Sequence, residues 1–493
     1  MQPIPDMPPR DHDRPLILVA GATGYVGGRL IPELLERGHT VRALCRTPAK
    51  LSGRAFAGHE HLEVHRGDVL DDESLDAALR GVGVAYYLVH SMAEGHDFER
   101  RDERAAEVFA GACARAGVGR IVYLSGLGDE RDPMLSRHLA SRHAVGRSLR
   151  SAGVPVTELR ASIIVGSGSA SFEIVHDLCR KLPVMLAPKW LRSRCEPIAI
   201  RDVVEYLVRV LDEPRTIGEV LDIGGGEHLT YQRMLEICSE ELGRPTTVIP
   251  VPVLTPRLSS WWLHLVTRVD MRLARPLIEG LRNDTITIDQ RITEWIPIER
   301  TNYRDAVKRA LVRLEAPERW SSWRDARGIV RPAITRARYN FRDYRTFDTE
   351  LPPEELFRRL THIGGEHGYG LGVDALWRLR GAMDRVVGGP GLRRGRPRGT
   401  LHEGDPIDMW RVVRLVAPAR MSLRAEMLVP GAAHLDFYVE PRPEGGARLH
   451  QLATLEGNSL ATPAYWMALV PIHGFVFNRL GQHVLALRSR PAA

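Results

Sequence analysis

Residues 15–39 read PLILVAGATGYVGGRLIPELLERGH, and no other stretch constrains the fold as much. LILVA is a short apolar run of the kind a strand covered on both faces requires. GATGYVG follows without a gap, and RLIPELLERG then places its apolar residues at helical spacing before a glycine stop. Gly21, Gly24 and Gly27 form a GxxGxxG. Between a buried strand and a helix the three glycines serve a tight turn, close approach of a ligand to the backbone, and close packing of helix on sheet. The first peptide N–H groups of such a helix lack an intrahelical acceptor and sit at the positive end of the helix dipole. They suit a pyrophosphate. The stretch predicts a dinucleotide cradle at the head of a βαβ unit, with Gly21, Thr23, Gly24, Tyr25, Val26 and Gly27 around the phosphates.

The next strand, HTVRALCR, ends at Cys45–Arg46. A fold that prefers NAD carries Asp or Glu about 20 residues on, to hold the ribose 2′-hydroxyl. Arg46 stands there instead and would match a 2′-phosphate, so NADP is the expected cofactor and NAD the alternative. An exposed arginine in an arginine-rich chain is the plainer reading. HLEVHRGDVLDDESLDAAL gives a strand, an Asp68–Val69 turn and a helix. GVGVAYYLVHSM is a fourth strand that reaches Val89, RRDERAAEVFAGACARAGVG a helix, and RIVYLSGLGDE a fifth strand ending at Ser125. Strands alternating with helices at this interval predict an α/β, doubly wound parallel sheet with its ligand across the carboxyl ends of the strands. The following helix, SRHLASRHAVGR, sets His138 and Arg142 one turn apart.

VAGATGYVGGRL, GDV, YLVHSM, YLSGLG and LRASIIVGSGS, in that order, resemble an atypical short-chain dehydrogenase/reductase. The closest likeness is to the NmrA-like, NAD(P)-binding set related to the complex I 39-kDa subunit, over about residues 15–315. The resemblance implies a Rossmann domain in which Asp68 and Val69 contact the adenine and Val89 and Ile163 also contact the cofactor. It further implies a catalytic serine after the fifth strand and a Tyr-x-x-x-Lys on the next helix. Ser125 matches the serine, but His138 and Arg142 occupy the Tyr and Lys positions. In the parent family the tyrosine is the acid or base on the substrate oxygen, and the lysine lowers its pKa and holds the nicotinamide ribose. Arg142 can hydrogen-bond the ribose hydroxyls, with a different, planar geometry. Histidine can give or take a proton near neutrality, though it is shorter than tyrosine and a neighbouring arginine favours its neutral form. His138 is either a proton carrier or an exposed helix residue. The implied function is an NADP(H)-dependent oxidoreductase acting on a small apolar carbonyl or quinone-like substrate. The alternative is a non-catalytic NAD(P)H-binding sensor or ligand-binding protein.

Four segments are expected: a disordered arm over 1–14, the Rossmann domain over 15–325 with a substrate subdomain from about 160, a linker over 326–345, and a ligand domain over 346–493. Within the subdomain, Arg160 to Ile164 would run beside the nicotinamide. The serines of SGSAS are expected to cap a helix, with anion binding the alternative, Asp202 is expected to cap another, and Gly224–Gly226 is expected to form a turn. Trp261 and Trp262 are either packing or an apolar substrate wall. The last segment reads as two amphipathic helices joined by the connector GGEHGYG, antiparallel strands with a hairpin turn at EPRPEGGAR, and a long closing helix. LRAEMLVPGAAHLDF and AYWMALVPIHGFVF resemble a C-terminal domain of unknown function found fused to NmrA-like domains, with an α+β, START-like helix-grip layout. Such a layout implies an apolar pocket near Trp410, Phe437, Tyr438, Tyr465, Trp466 and His473, each of which taken singly reads as a core side chain first.

Composition closes off other classes. The chain has 493 residues, 44% hydrophobic and 26% charged, as expected of a globular protein of two or three domains. Its formal charge is +7, but only four of its 68 basic residues are lysines and the arginines are spread along the chain, which argues against nucleic-acid binding. Nothing reaches the roughly 18 uninterrupted apolar residues of a membrane span. The final helix would at most touch a membrane surface. The N-terminus does not read as a signal peptide. Five scattered cysteines without a CxxC predict a reduced, cytoplasmic chain with no metal site. The sequence leaves the oligomeric state open.

Overall fold

The computed structural model describes residues 14–51, 54, 56–90, 98–182, 184–244, 246–251, 279–281, 283–315, 337–386, 389, 391–392, 396 and 400–487. The expected N-terminal arm, apart from Arg14, and the Trp261–Trp262 pair lie outside the described residues. The chain divides into two compact units, whose described parts run up to residue 315 and from residue 337 onward.

The first unit alternates β1 (Leu16–Ala20), α1 (Gly27–Glu36), β2 (Val41–Cys45), β3 (Leu62–Arg66), α2 (Asp72–Ala78), β4 (Val82–Tyr87), α3 (Phe98–Ala116), β5 (Arg120–Gly126), α4 (Arg137–Arg150) and β6 (Val156–Ala161). Shorter elements follow: β7 (Ile164–Val165), α5 (Ala170–Lys181), β8 (Val184–Pro188), β9 (Arg194–Cys195), β10 (Ile198–Ala199) and α6 (Ile200–Arg209). The unit ends with β11 (Val220–Ile223), β12 (Leu229–Thr230), α7 (Tyr231–Glu241), β13 (Thr247–Val251), α8 (Arg291–Trp295) and α9 (Tyr303–Glu315). Seven strands form one sheet in the order β11-β6-β5-β4-β1-β2-β3, with every pairing parallel. The order reverses between β1 and β4, and at such a switch point the crevice for a ligand opens. The apolar run LILVA serves both faces of the sheet. Ile17 and Val19 pack with Leu30, Ile31 and Leu34 of α1 and Val203 and Leu207 of α6. Leu18 and Ala20 pack with α2 and with Phe109 and Cys113 of α3. The doubly wound sheet read from the sequence is therefore the fold.

Buried polar ties complete the unit, and two differ from expectation. Ser169 stands at the N-cap of α5, but its hydroxyl donates to the Ile164 carbonyl (2.8 Å) and makes no cap bond. Asp202 does not cap α6, which follows Ala199. It lies buried in the first turn and accepts from the Thr301 N–H (2.6 Å) and hydroxyl (3.0 Å). A distant segment supplies donors that local sequence cannot reveal. Arg120, also buried, donates to the Thr157 hydroxyl (2.9 and 2.7 Å), the Val210 carbonyl (2.6 Å) and the Thr216 hydroxyl (2.5 Å).

The second unit contains β14 (Tyr339–Thr349), α10 (Pro353–Leu360), α11 (Val373–Val386), β15 (Pro406–Ile407), β16 (Trp410–Val416), β17 (Arg420–Ala425), β18 (Ala432–Pro441), β19 (Ala447–Gly457) and α12 (Ala461–Ala486). Its six strands form an antiparallel sheet in the order β14-β19-β18-β17-β16-β15. The long helix lies on this sheet. A Cβ on Gly481 would fall 2.2 Å from the Phe347 ring, and Gln451 donates to the Phe477 carbonyl (3.0 Å). β14 takes over part of the expected linker. Every second residue of it is half-buried, but the ion pair Asp343–Arg345 occupies two of those positions and hides the apolar alternation. Trp410 and Phe437 fill the core. Trp466 stands between Phe341 and His473, with ring centroids 5.6 and 4.5 Å away. Tyr438 and Tyr465 lie under Arg420 and Arg380. Among the described residues no helix is long and apolar enough to cross a membrane.

Arg120→Met should destabilise the first unit by about 3 kcal/mol, because it strands buried hydroxyls and a carbonyl. Urea unfolding of the full chain measures this. A change within about 0.5 kcal/mol would show that the network holds nothing.

Candidate active site at the strand ends

The site begins where β1 turns into α1. Gly21 has φ +92°, and a Cβ on it would fall 2.7 Å from the carbonyl oxygen of Leu88, just past β4. Leu88 in turn donates to the Ala20 carbonyl (2.9 Å). A Cβ on Gly27 would fall 2.4 Å from the Gly21 carbonyl oxygen. The turn closes through the Gly24 N–H, which donates to that same oxygen (2.9 Å). Helix α1 is thus drawn onto the strand end at the switch point, in a space that side chains would fill. This arrangement fits a pyrophosphate, since it leaves the backbone approachable beside a helix N-terminus.

The other expected cofactor residues lie along the same edge. Thr23, Gly24, Tyr25 and Val26 are half-buried on the loop. The Tyr25 side chain is turned to Gly166 and lies 4.4 Å below the Arg29 guanidinium, so a role at the phosphates falls to its amide. Arg46 is exposed one residue past β2. Asp68, past β3, closes an Asx turn by accepting from Leu70 (3.1 Å), and its own N–H donates to the Ser74 hydroxyl (3.1 Å). Val69 and Val89 pack at the margin of the core. Ile163 is half-buried after β6, and its carbonyl accepts from Ile198 (2.9 Å). Arg160 is committed to Glu158 and Glu130.

Three further groups occupy the end of β5 and the first turns of α4. Ser125 is buried, and its hydroxyl has no hydrogen-bond partner among the described residues. His138 lies in the first turn of α4, which Ser136 caps by accepting from the Leu139 N–H (3.3 Å). It is half-buried, with a buried Nδ1 that has no partner among the described residues, so it is not the exposed helix residue of the plainer reading. Burial pushes its pKa well below the usual histidine value, and His90, Arg142 and His143 push the same way. Arg142 donates to the Leu124 carbonyl, and its guanidinium lies 5.2 Å over the Tyr123 ring. It is a cation fixed against β5, one residue from Ser125.

Sequence patterns alone do not single out His90 and Asp102. His90 follows β4, and its Nδ1 lies 2.7 Å from Oδ2 of Asp102, which is only 3% exposed on α3. The His90 and His138 rings are 5.2 Å apart. The His90 Nε2 is buried and without a partner among the described residues. Burial lowers its pKa, Arg142 adds to this, and Asp102 opposes it. The one visible signal is a histidine directly after an apolar strand, in YLVHSM. Asp102 is hidden in RRDER, which reads as a solvated helix face. Buried polar atoms without partners call for a ligand or solvent to satisfy them. Three of them stand here, on Ser125, His138 and His90.

Residues 13–257 match the NmrA-like family, and residues 336–480 match a protein family of unknown function, DUF2867. The chain is 30% identical over 240 residues to the (4-alkanoyl-5-oxo-2,5-dihydrofuran-3-yl)methyl phosphate reductase of Streptomyces griseus, covering 47% of this chain and 75% of that one. It is 27% identical over 267 residues to the chloroplastic divinyl chlorophyllide a 8-vinyl-reductase of Oryza sativa subsp. indica, covering 51% of this chain and 65% of the rice protein, just under two thirds of its length. In fold it is similar to the triphenylmethane reductase of Citrobacter sp., at 18% identity and a TM-score of 0.50, over 60% of this chain and all of that one. Glycine loop, strand order and sequence agree: the chain belongs to the NmrA-like family.

Proposed function

We propose that the chain is an NADP(H)-dependent oxidoreductase acting on a small apolar carbonyl or quinone-like substrate. One observation carries this reading: the glycine cradle at the switch point shares a strand-end edge with Ser125, His138 and His90, whose buried polar atoms lack partners among the described residues. That the rice and Streptomyces relatives are named as reductases supports it. When bound, the dihydronicotinamide supplies a hydride. The loop amides hold the pyrophosphate, and Arg46 faces the 2′-phosphate. The Ser125 hydroxyl donates to the substrate oxygen as negative charge grows there. Arg142 keeps a positive charge beside it, and His138, held neutral, orients the same oxygen. The first unit acts as the Rossmann domain with its substrate subdomain, and the second as a helix-grip-like holder of an apolar ligand, in the cytoplasm. A non-catalytic NADPH sensor is the second reading, favoured by the absence of the Tyr-x-x-x-Lys pair.

NADPH titration followed by nicotinamide fluorescence, with quinone-dependent NADPH oxidation alongside, tests the reading. Binding without oxidation leaves the sensor, and no binding removes both. Arg46→Ala should weaken NADPH at least about tenfold, or ~1.4 kcal/mol, and leave NADH within about twofold. Equal effects on the two cofactors would deny Arg46 its selective role. Gly27→Ala should abolish binding of both, because its Cβ meets rigid backbone. Undiminished affinity in that variant would displace the phosphate site from this loop.

A further inference from the structure

We infer that His90, oriented by Asp102, exchanges the proton with the substrate oxygen, in place of the side chain at the tyrosine position. This rests on the oxidoreductase reading above. The geometry separates the two histidines. Asp102 lies 2.7 Å from the His90 Nδ1, and an ionised carboxylate there accepts the Nδ1–H. The proton-exchanging atom is then Nε2, which is buried and without a partner among the described residues. The same carboxylate stabilises the imidazolium that forms when Nε2 is protonated, as in other carboxylate–histidine pairs. His138 has no comparable carboxylate contact among the described residues, and the charged and titratable groups around it all oppose protonation. A purely structural pair would tie the end of β4 to α3 through Nδ1 and leave unexplained a buried Nε2 that has no partner among the described residues. Position agrees as well. His90 is two residues past Leu88, whose carbonyl meets Gly21 at the switch point.

The step balances with the cofactor as reductant. In reduction, the C4–H bond of the dihydronicotinamide breaks, and its electron pair forms the new C–H bond at the carbonyl carbon. The C=O π pair moves to oxygen. The Nε2–H bond of the His90 imidazolium breaks as the O–H bond forms. The products are the oxidised cofactor, the alcohol and neutral His90, which solvent reprotonates. For a quinone the hydride is delivered in the same way and the product is the hydroquinone.

The sign of the pH dependence follows from the groups facing His90. Among the described residues they are Asp102 on α3 and His138 and Arg142 on α4, and the phenols of Tyr87 on β4 and Tyr123 on β5 lie in the field of the same Asp102 and Arg142. Burial and Arg142 outweigh Asp102, so the net direction is below the ordinary histidine value of 6.5. Reduction needs the imidazolium, so its rate falls as pH rises through a value below 6.5. Oxidation needs the neutral base, so its rate falls as pH drops through the same value.

The test uses the full chain with NADPH and two probe acceptors, menadione and 9,10-phenanthrenequinone. His90→Gln should lower kcat at least about 100-fold and abolish the pH limb, with NADPH affinity within about threefold. His90→Ala should regain activity with added imidazole. Asp102→Asn, which keeps a hydrogen-bonding partner for the ring if His90 variants fold poorly, should move the limb to lower pH and reduce kcat with KM little changed. His138→Gln, which removes a group that orients the oxygen, should lower kcat and leave the pH limb in place. Wild-type kcat and an unchanged limb in His90→Gln, or a loss of NADPH binding as large as the loss of kcat without imidazole rescue, would overturn the assignment alone. A wild-type chain that binds NADPH but oxidises it with neither quinone would overturn the oxidoreductase reading and this step with it.

Discussion

The close approach of α1 to the end of β1 governs the rest of the first unit. Gly27 lets the helix descend until only a hydrogen atom fits against the Gly21 carbonyl, and Gly21 in turn touches the Leu88 carbonyl beyond β4. The segments that follow the parallel neighbours β1 and β4, bound for helices on opposite faces of the sheet, are thereby brought to one point. The crevice between them, the approachable backbone of the loop and the placement of His90 all follow from those contacts. Alternate residues of β1 bury themselves against helices on either side, so the strand that carries the loop is rigid. A phosphate-binding backbone needs such rigidity, because its amides must already point the right way before the ligand arrives.

The polar chemistry depends on burial. Arg120 and Asp202 are buried with their partners in place, and they hold elements together. Ser125, His138 and His90 each bury a polar atom as well, but that atom has no partner among the described residues. The same low-dielectric surroundings that make satisfied groups structural leave these atoms in need of a ligand or solvent. Arg142 stands where the short-chain dehydrogenase/reductase resemblance places a lysine. In the lysine position, its longer planar group reaches back to the Leu124 carbonyl and the Tyr123 ring. The cation is retained, but fixed against the strand.

Much of the fold is legible in the order of residues. The βαβ order, the glycine loop, Ser125 at the end of β5 and the hairpin between β18 and β19 follow from local patterns: period two, period 3.6 and turn residues. What stays hidden shares one cause. His90 and Asp102 are 12 residues apart, on a strand end and the following helix, and the bond between them is set by how α3 packs on the sheet. Asp202 looks like a helix cap because its true donor, Thr301, is about a hundred positions away. β14 is obscured because an ion pair takes positions that a strand usually fills with apolar side chains.

The amino-acid order by itself determined which segments are strands and helices, that the sheet is parallel and doubly wound, and that a close glycine turn joins the first strand to the first helix. These depend on contacts between near neighbours and on the glycine that only a close approach requires. Tertiary structure alone decided which titratable groups meet, which of them lose water, and which nitrogens of His90 and His138 have no partner among the described residues. Those outcomes depend on burial and on distances across the fold, and neither is written in the spacing of residues along the chain.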